Sequence, residues 1–454
     1  MPYETISGRF ETASRTGHST AALRAAAEKA DFYVPSDAIV DASWIASKIV
    51  PRSDVPRVDP DLQLKAALAV DGSRIAEPVR DGLPSVVYGY AQAAAAFVDL
   101  VAIETQQAAR FVDPVEIEKA VNTALVSLDL PVAGAYMRPG IGINDSWREC
   151  LIQLFENKRV EVNRINQSLA ELLMLLHGSP GAPAPTVPVN CPAEGCDELD
   201  IPVPRAGTPC PGCGTQLFAT DTLRIHEEVT EEGTNEAALG RLMSVVELLV
   251  LVGLTTLLWQ QSRHELLRST LFIVDGPLAM YGPPAKLRSW ALEYFQAMTA
   301  TSGSDAPFIC GLEKSGTLYD YAQKLAYHDV LKPGDLLICD EEVIAAITNS
   351  KNPISYGKET YWGRKFIYRA LDGRVLIPTV PPKGGPPYDT TGGQPEPGAY
   401  PTLRYILDVI DRTGSSMYRD GVIPVAVAHG KAAFPIGVGT DVLRLVAKKK
   451  LGLP

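Results

Sequence analysis

"LKAALAVDGSR" (Leu64–Arg74) and "LFIVDGPLA" (Leu271–Ala279) are the two stretches on which the fold turns. Each is an apolar, β-prone run that closes on Asp-Gly. Aspartate bonds its own backbone and glycine accepts a left-handed conformation, so Asp-Gly commonly ends a strand. The plain expectation is therefore two turns. A second expectation is that both strands belong to one sheet and that Asp71 and Asp275 meet over a metal ion. A sheet holds a carboxylate rigidly, and hard divalent cations take oxygen ligands.

Around these runs, strand-like and helix-like segments mix in a way that predicts α/β architecture. The chain has 454 residues, 46% hydrophobic and 21% charged, enough for two or three structural units and a large core. Residues 1–60 read as an N-terminal helical segment, including "STAALRAAAEKADFY" behind Ser19 and "DASWIASKIV". Residues 61–113 carry the first strand and then "PSVVYGYAQAAAAFVDLVAIE", one or two more strands. Residues 114–189 read as a helical insertion and a Pro-rich linker. "VEIEKAVNTALVSL" and "VEVNRINQSLAELLMLLHG" show apolar positions three and four apart, and His177-Gly178 is a helix stop. Residues 234–454 alternate helix and strand, with a hairpin at Asp372-Gly373 and helices from Pro401 onward. An early strand pair with a late α/β alternation fits an RNase H-like mixed sheet with flanking helices.

The net charge of −11 does not announce a nucleic-acid binder, but an acidic body can carry a local basic track. Basic residues cluster at "YWGRKFIYR", with Arg364 and Lys365, and at Lys448–Lys450, which reads as a solvated end. The polar start lacks the apolar centre of a signal peptide, so a cytoplasmic protein is expected. The run Val245–Trp259 falls short of the ~20 residues of a spanning helix and is read as a helix buried in protein.

Four of the seven cysteines fall in one segment, as Cys191-x4-Cys196 and Cys210-x2-Cys213. Two close pairs about a short β-prone stretch predict a zinc ribbon over residues 190–220, with four thiolates closing a structural site. Cys150, Cys310 and Cys339 read as reduced core residues.

Metal-dependent phosphodiester chemistry needs a third carboxylate beside Asp71 and Asp275. Glu247 is the candidate, a lone charge in "SVVELLVLVGL" that burial would penalise unless something positive pairs with it. A helix-end acid reaching solvent is the competing reading. A break near "QQSRHELLRS" is then required before Asp275, and Glu265 lies too close to the strand to substitute. His429, after the apolar run "IPVAVA", fits a ligand or general base, or a structural histidine. Lys314 in "GLEKSG" reads as a phosphate contact or a solvated loop lysine.

Together "AVDGSR", "RLMSVVELL", "FIVDGPLAMYGPPAKL", "GLEKSG", "YGKETYWGRKFIY" and "YRDGVIPVAVAHGKAAF" resemble the NurA nuclease family, in particular its zinc-ribbon-bearing bacterial relatives, over roughly residues 60–440. The resemblance implies an RNase H-like core, a manganese- or magnesium-dependent DNA nuclease, a symmetric homodimer and a HerA-type hexameric ATPase as partner. It matches Asp71, Glu247 and Asp275 to the family's acidic metal ligands and His429 to its late histidine. Arg74, Lys314, Arg364 and Lys365 are the expected phosphate contacts. DNA end processing and defence against foreign DNA both fit, and no membrane is expected. The alternative is a non-catalytic dimeric scaffold whose zinc knob docks on an ATPase. A "GxxxxGK[ST]" loop is absent, so ATP hydrolysis is not expected of this chain.

Overall fold

The computed structural model describes residues 42–80, 85–107, 121–162, 165–260, 263–302, 304–348, 357–388, 396–414, 421–434 and 438–453. The expected helix over residues 19–33 lies outside them. The chain begins with α1 (Ala42–Ser47), β1 (Ile49–Pro51), β2 (Ala66–Arg80), β3 (Val86–Asp99), α2 (Leu100–Gln107) and β4 (Val121–Ala133). Then come α3 (Ile143–Asn157), β5 (Arg159–Val162), β6 (Ile165–Ser168) and α4 (Leu169–Leu176). A small ribbon follows, made of β7 (Thr186–Val189), β8 (Ile201–Pro204), β9 (Thr208–Pro209) and β10 (Gln216–Leu217). After it run α5 (Glu236–Gln260), α6 (His264–Arg268), β11 (Thr270–Asp275), α7 (Leu287–Ser302) and β12 (Phe308–Glu313). The rest comprises α8 (Thr317–Tyr327), β13 (Asp335–Ile338), α9 (Glu341–Thr348), β14 (Arg364–Arg369), β15 (Val375–Val380), α10 (Leu403–Arg412), α11 (Ile423–Ala432) and α12 (Val438–Leu451).

Nine strands make one mixed sheet in the order β1-β13-β14-β15-β12-β11-β2-β3-β4. β2, β11 and β12 run parallel in its middle, and antiparallel strands flank them on both sides. β11 pairs with β2 up to Val274↔Val70 and stops one residue later, whereas β2 runs on to Arg80 against β3. This leaves a notch beside Asp71 where one strand ends and its neighbour continues.

Helix α5 explains much of the stability. Its 25 residues are apolar on nearly every side, the pattern of a helix enclosed in protein. It is long and apolar enough to cross a bilayer, but 78% of its most apolar window is buried between the sheet and α4. Gly253 lets α4 approach, with Leu172 packing 3.1 Å from where a Cβ would stand. Helix α4 starts at a capping box: Ser168 accepts from the Glu171 N–H and Glu171 accepts from the Ser168 N–H.

Several expectations are corrected here. The strand containing Asp71 does not end at Asp71-Gly72, which sit in the interior of β2. "VEIEKAVNTALVSL" is not helical where it is described: from Val121 it is β4. Ala124, Val126, Leu128, Leu130 and Val132 are buried with exposed or half-exposed residues between, a period of two that exposed Leu125 disguises in the sequence. In "VEVNRINQ", residues 160–162 belong to β5 and residues 165–167 to β6, which pair antiparallel, so the helix begins only at Leu169. The stretch from Val86 is one long strand that turns into helix at Leu100. Residues 49–51, expected in a helical segment, add β1 to the sheet edge. The hairpin at Asp372-Gly373 and the break after Gln260 are as expected.

Candidate active site

Four elements converge on the notch. β2 and β11 bring Asp71 and Asp275 side by side, as their register requires. α11 lies against β2 and β3 and presents His429, whose Nδ1 is 2.8 Å from Asp71 Oδ2. Ligand atoms of Asp71, Asp275 and His429 all lie within 4.8 Å of one another. α5 crosses the opposite face of the same strands and brings Glu247 to the other side of the notch.

Glu247 reaches this position because residue 72 has no side chain. A Cβ on Gly72 would stand 2.5 Å from Glu247 Oε1 and 2.9 Å from Met243 Cγ, closer than Cβ contacts allow. The Gly72 N–H donates to Asp71 Oδ1 at 2.8 Å and supports Glu247 as well. The second Asp-Gly works differently. Gly276 has a φ of 112° and turns the chain out of the sheet, while its N–H donates to Leu312 O at 3.0 Å. One Asp-Gly is thus a spacer inside a strand, and the other is a strand stop.

The electrostatics carry the mark of crowded carboxylates. Burial, then the charges of Asp71 and Asp275, push Glu247 up to about 8, against the help of the Gly72 N–H. Burial and the Asp275 charge likewise raise Asp71, opposed by His429 and the Gly72 N–H. A divalent cation would relieve both, because it supplies the positive charge these carboxylates lack. Hard oxygen donors with one imidazole suit magnesium or manganese, so the residues present fit such an ion. A cavity of 110 Å³ opens beside them, lined by Ser244, Glu247, Val274, Asp275, Tyr281 and Trp362.

The expected phosphate contacts divide. Arg74 is exposed, three residues beyond Asp71, with its guanidinium lying over Gly240 of α5. Lys314 pairs with Asp275 at 3.0 Å, so its nearest anion is the site itself. Arg364 and Lys365 are each only 4% exposed, which corrects their assignment. Arg364 donates to the Tyr400 hydroxyl and pairs with Glu341; Lys365 pairs with Glu313 at 2.9 Å. Both are internal counter-charges in strand β14, and a phosphate has no access to them. Glu265 is exposed and α6 carries it outside the acidic group.

The four cysteines of the ribbon also gather. Cys191 and Cys213 sulfurs are 3.5 Å apart, and Cys196 and Cys210 sulfurs 3.7 Å apart. Zn–S bonds of about 2.3 Å in a tetrahedron require separations of roughly 3.8 Å. Tight turns deliver them: Cys196 N–H donates to Ala193 O and Gly214 N–H to Cys210 O, with Gly195 and Gly214 at φ of 74° and 79°.

Sequence reasoning missed Gly72 as a spacer, because Asp-Gly reads as turn chemistry. No protein-family model and no curated protein matches the chain. Among solved structures it aligns with the NurA nuclease from Sulfolobus solfataricus over 90% of this chain and 89% of that one, at 12% identity and a TM-score of 0.34. That likeness is too slight to carry fold or activity.

Proposed function

We propose that this chain is a metal-dependent DNA nuclease whose reacting centre is Asp71, Glu247, Asp275 and His429. The observation that carries the reading is convergence. Asp71, Asp275 and His429, from three elements and up to 358 residues apart, bring ligand atoms within 4.8 Å of one another, and Glu247 from a fourth element lies against Gly72 next to them, although burial and mutual repulsion oppose it. A structural aspartate needs no such neighbours. The order of β4, β3, β2, β11 and β12 supports an RNase H-like core.

Asp71, Glu247 and Asp275 would hold manganese or magnesium, which when bound polarises a phosphate and makes water nucleophilic at neutral pH. Asp71 orients His429. With Nδ1–H given to the carboxylate, Nε2 keeps its lone pair on a ring that is 65% exposed, and it accepts a proton from the attacking water. The water oxygen bonds to phosphorus and one phosphodiester P–O bond breaks, the leaving oxygen taking a proton. Arg74 would hold a flanking phosphate.

The ribbon cysteines, Cys191, Cys196, Cys210 and Cys213, would hold a structural zinc. The family resemblance adds a homodimer and a HerA-type ATPase that delivers DNA for end processing or for defence against foreign DNA. The test is digestion of labelled single- and double-stranded DNA with manganese, with magnesium and with neither, beside Asp71→Ala and Asp275→Ala. Manganese-dependent cleavage lost in both folded variants is expected. No cleavage even with the partner ATPase present, or cleavage untouched by both substitutions, replaces this reading with the scaffold.

A further inference from the structure

We propose that Tyr281 is a stacking platform for an unpaired base next to the reacting phosphate, and that Arg288 receives the phosphate beyond it. The inference rests on the nuclease reading and names the form in which substrate meets the site, a single strand.

The loop that leaves Asp275 is held down rather than free. Met280 N–H donates to Thr360 O at 2.9 Å, and Trp362 N–H donates to Leu278 O at 2.9 Å. This fixes Tyr281 on the rim of the acidic cavity. Its ring is 43% exposed, yet its hydroxyl is 3.0 Å from that of Tyr361 and the two rings meet edge to face at 6.1 Å. An exposed aromatic ring pinned by its own hydroxyl has one face for a ligand and little freedom left to lose on binding.

On the far side of this pair lies a second cavity of 300 Å³, whose lining includes Tyr361, Arg288, Lys358, Tyr388 and Glu293. Arg288 Nε is buried there with no hydrogen-bond acceptor. Glu293 on the cavity wall and Glu359, whose charge the Arg288 guanidinium feels, are the opposing acids. Tyr281 therefore joins an acidic cavity, suited to cations on the phosphate being cut, to a cavity where the partnerless Arg288 Nε can receive the next phosphate. A base pair hides both faces of its bases in the stack, so a ring at this place takes only an unpaired base.

The test is fluorescence anisotropy of a 5′-fluorescein oligothymidylate and of its abasic analogue, in the full chain carrying Asp275→Asn so that the strand stays whole. Tyr281→Ala is expected to weaken binding of the thymidylate about tenfold, and Tyr281→Phe to keep it. The abasic strand binds weakly throughout and ignores residue 281. Arg288→Gln lowers the slope of log affinity on log salt by about 0.7. Equal binding by the Tyr281→Ala and parent proteins, or equal binding of abasic and base-bearing strands, overturns the proposal. If binding depends on Tyr281 but the wild-type chain never cleaves DNA, the nuclease reading fails and the platform stands. If the chain cleaves and Tyr281 is silent, only the platform fails.

Discussion

Glu247 rests against the bare backbone of Gly72, 2.5 Å from where a Cβ would be. The glycine has no left-handed φ to justify it, so space alone explains its presence inside β2. Gly72→Ala must move Glu247 or Met243. Misplacing a reacting group by about 1 Å costs on the order of 100-fold in rate. The expected result is that kcat on a labelled strand falls by that order while the melting temperature moves by only a few degrees. A variant with wild-type kcat would remove Glu247 from the site.

The same crowding predicts the response to metal. An ion that binds only the folded state stabilises it by mass action, about 2.7 kcal/mol at one hundred times its Kd. Manganese should therefore raise the melting temperature of the wild-type chain, and the rise should vanish in Asp71→Asn, Glu247→Gln and Asp275→Asn. Without metal, Asp71→Asn and Glu247→Gln should be as stable as wild type or more so, because each removes a carboxylate disfavoured by burial and by its charged neighbours. Thermal scans with and without manganese read both effects. A metal-free protein destabilised by both of these changes would mean that the acids hold the fold together.

What could be read from the sequence divides along physical lines. β11 and the β14–β15 hairpin were legible because they are short apolar runs with turn residues at their ends. β4 was not, since Leu125 faces solvent and gives the segment a false helical spacing. Asp71 and Asp275 were nominated by their place at the Asp-Gly ends of strand-like runs, Glu247 as a lone charge in an apolar helix and His429 by the apolar run before it; the sheet register sets the two aspartates side by side, and helices α11 and α5 bring His429 against Asp71 and Glu247 against Gly72. Arg364 and Lys365 misled for the converse reason. A basic pair in a strand reads as surface, yet the acids that bury it, Glu341 and Glu313, come from distant segments.

That burial makes its own prediction. Lys365→Met should cost about 3–5 kcal/mol, because Glu313 would be left charged and unpaired in the interior. Urea denaturation measures this. The double change Lys365→Met with Glu313→Leu should recover much of the loss. In neither protein should the salt dependence of DNA binding move. A shallower salt slope would return Lys365 to the phosphate contacts.

The ribbon should depend on its metal and the main sheet should not. Each of its two hairpins has only two strands, which is marginal alone, and Cys210 packs in its small core with Val187, Val203 and Leu217. The purified chain should carry about one zinc, with Cys210→Ser reducing it several-fold. Hydrogen exchange after chelation should quicken in residues 186–217 and stay slow in β2, β3 and β11. Zinc-free protein with unchanged protection of the ribbon would show that the cysteines act only as a packed core.

His177 sets an acid limit on stability. It caps α4, gives Nδ1–H to Leu173 O at 3.0 Å and lies against Trp290 with the rings tilted and their centroids 4.6 Å apart, while its Nε2 is buried without a partner. Burial lowers it from 6.5 to about 4. The unfolded chain therefore takes up a proton at pH values where the folded one does not. The contribution is whole above pH 6.5 and is lost as pH falls toward 4, by on the order of 3 kcal/mol at full extent. Denaturation midpoints measured from pH 7.5 to 4.5 should fall less steeply in His177→Phe than in wild type, even if the variant starts lower for want of the bond to Leu173. Parallel curves would mean that the imidazole is protonated inside the fold, with an acceptor or a water at Nε2.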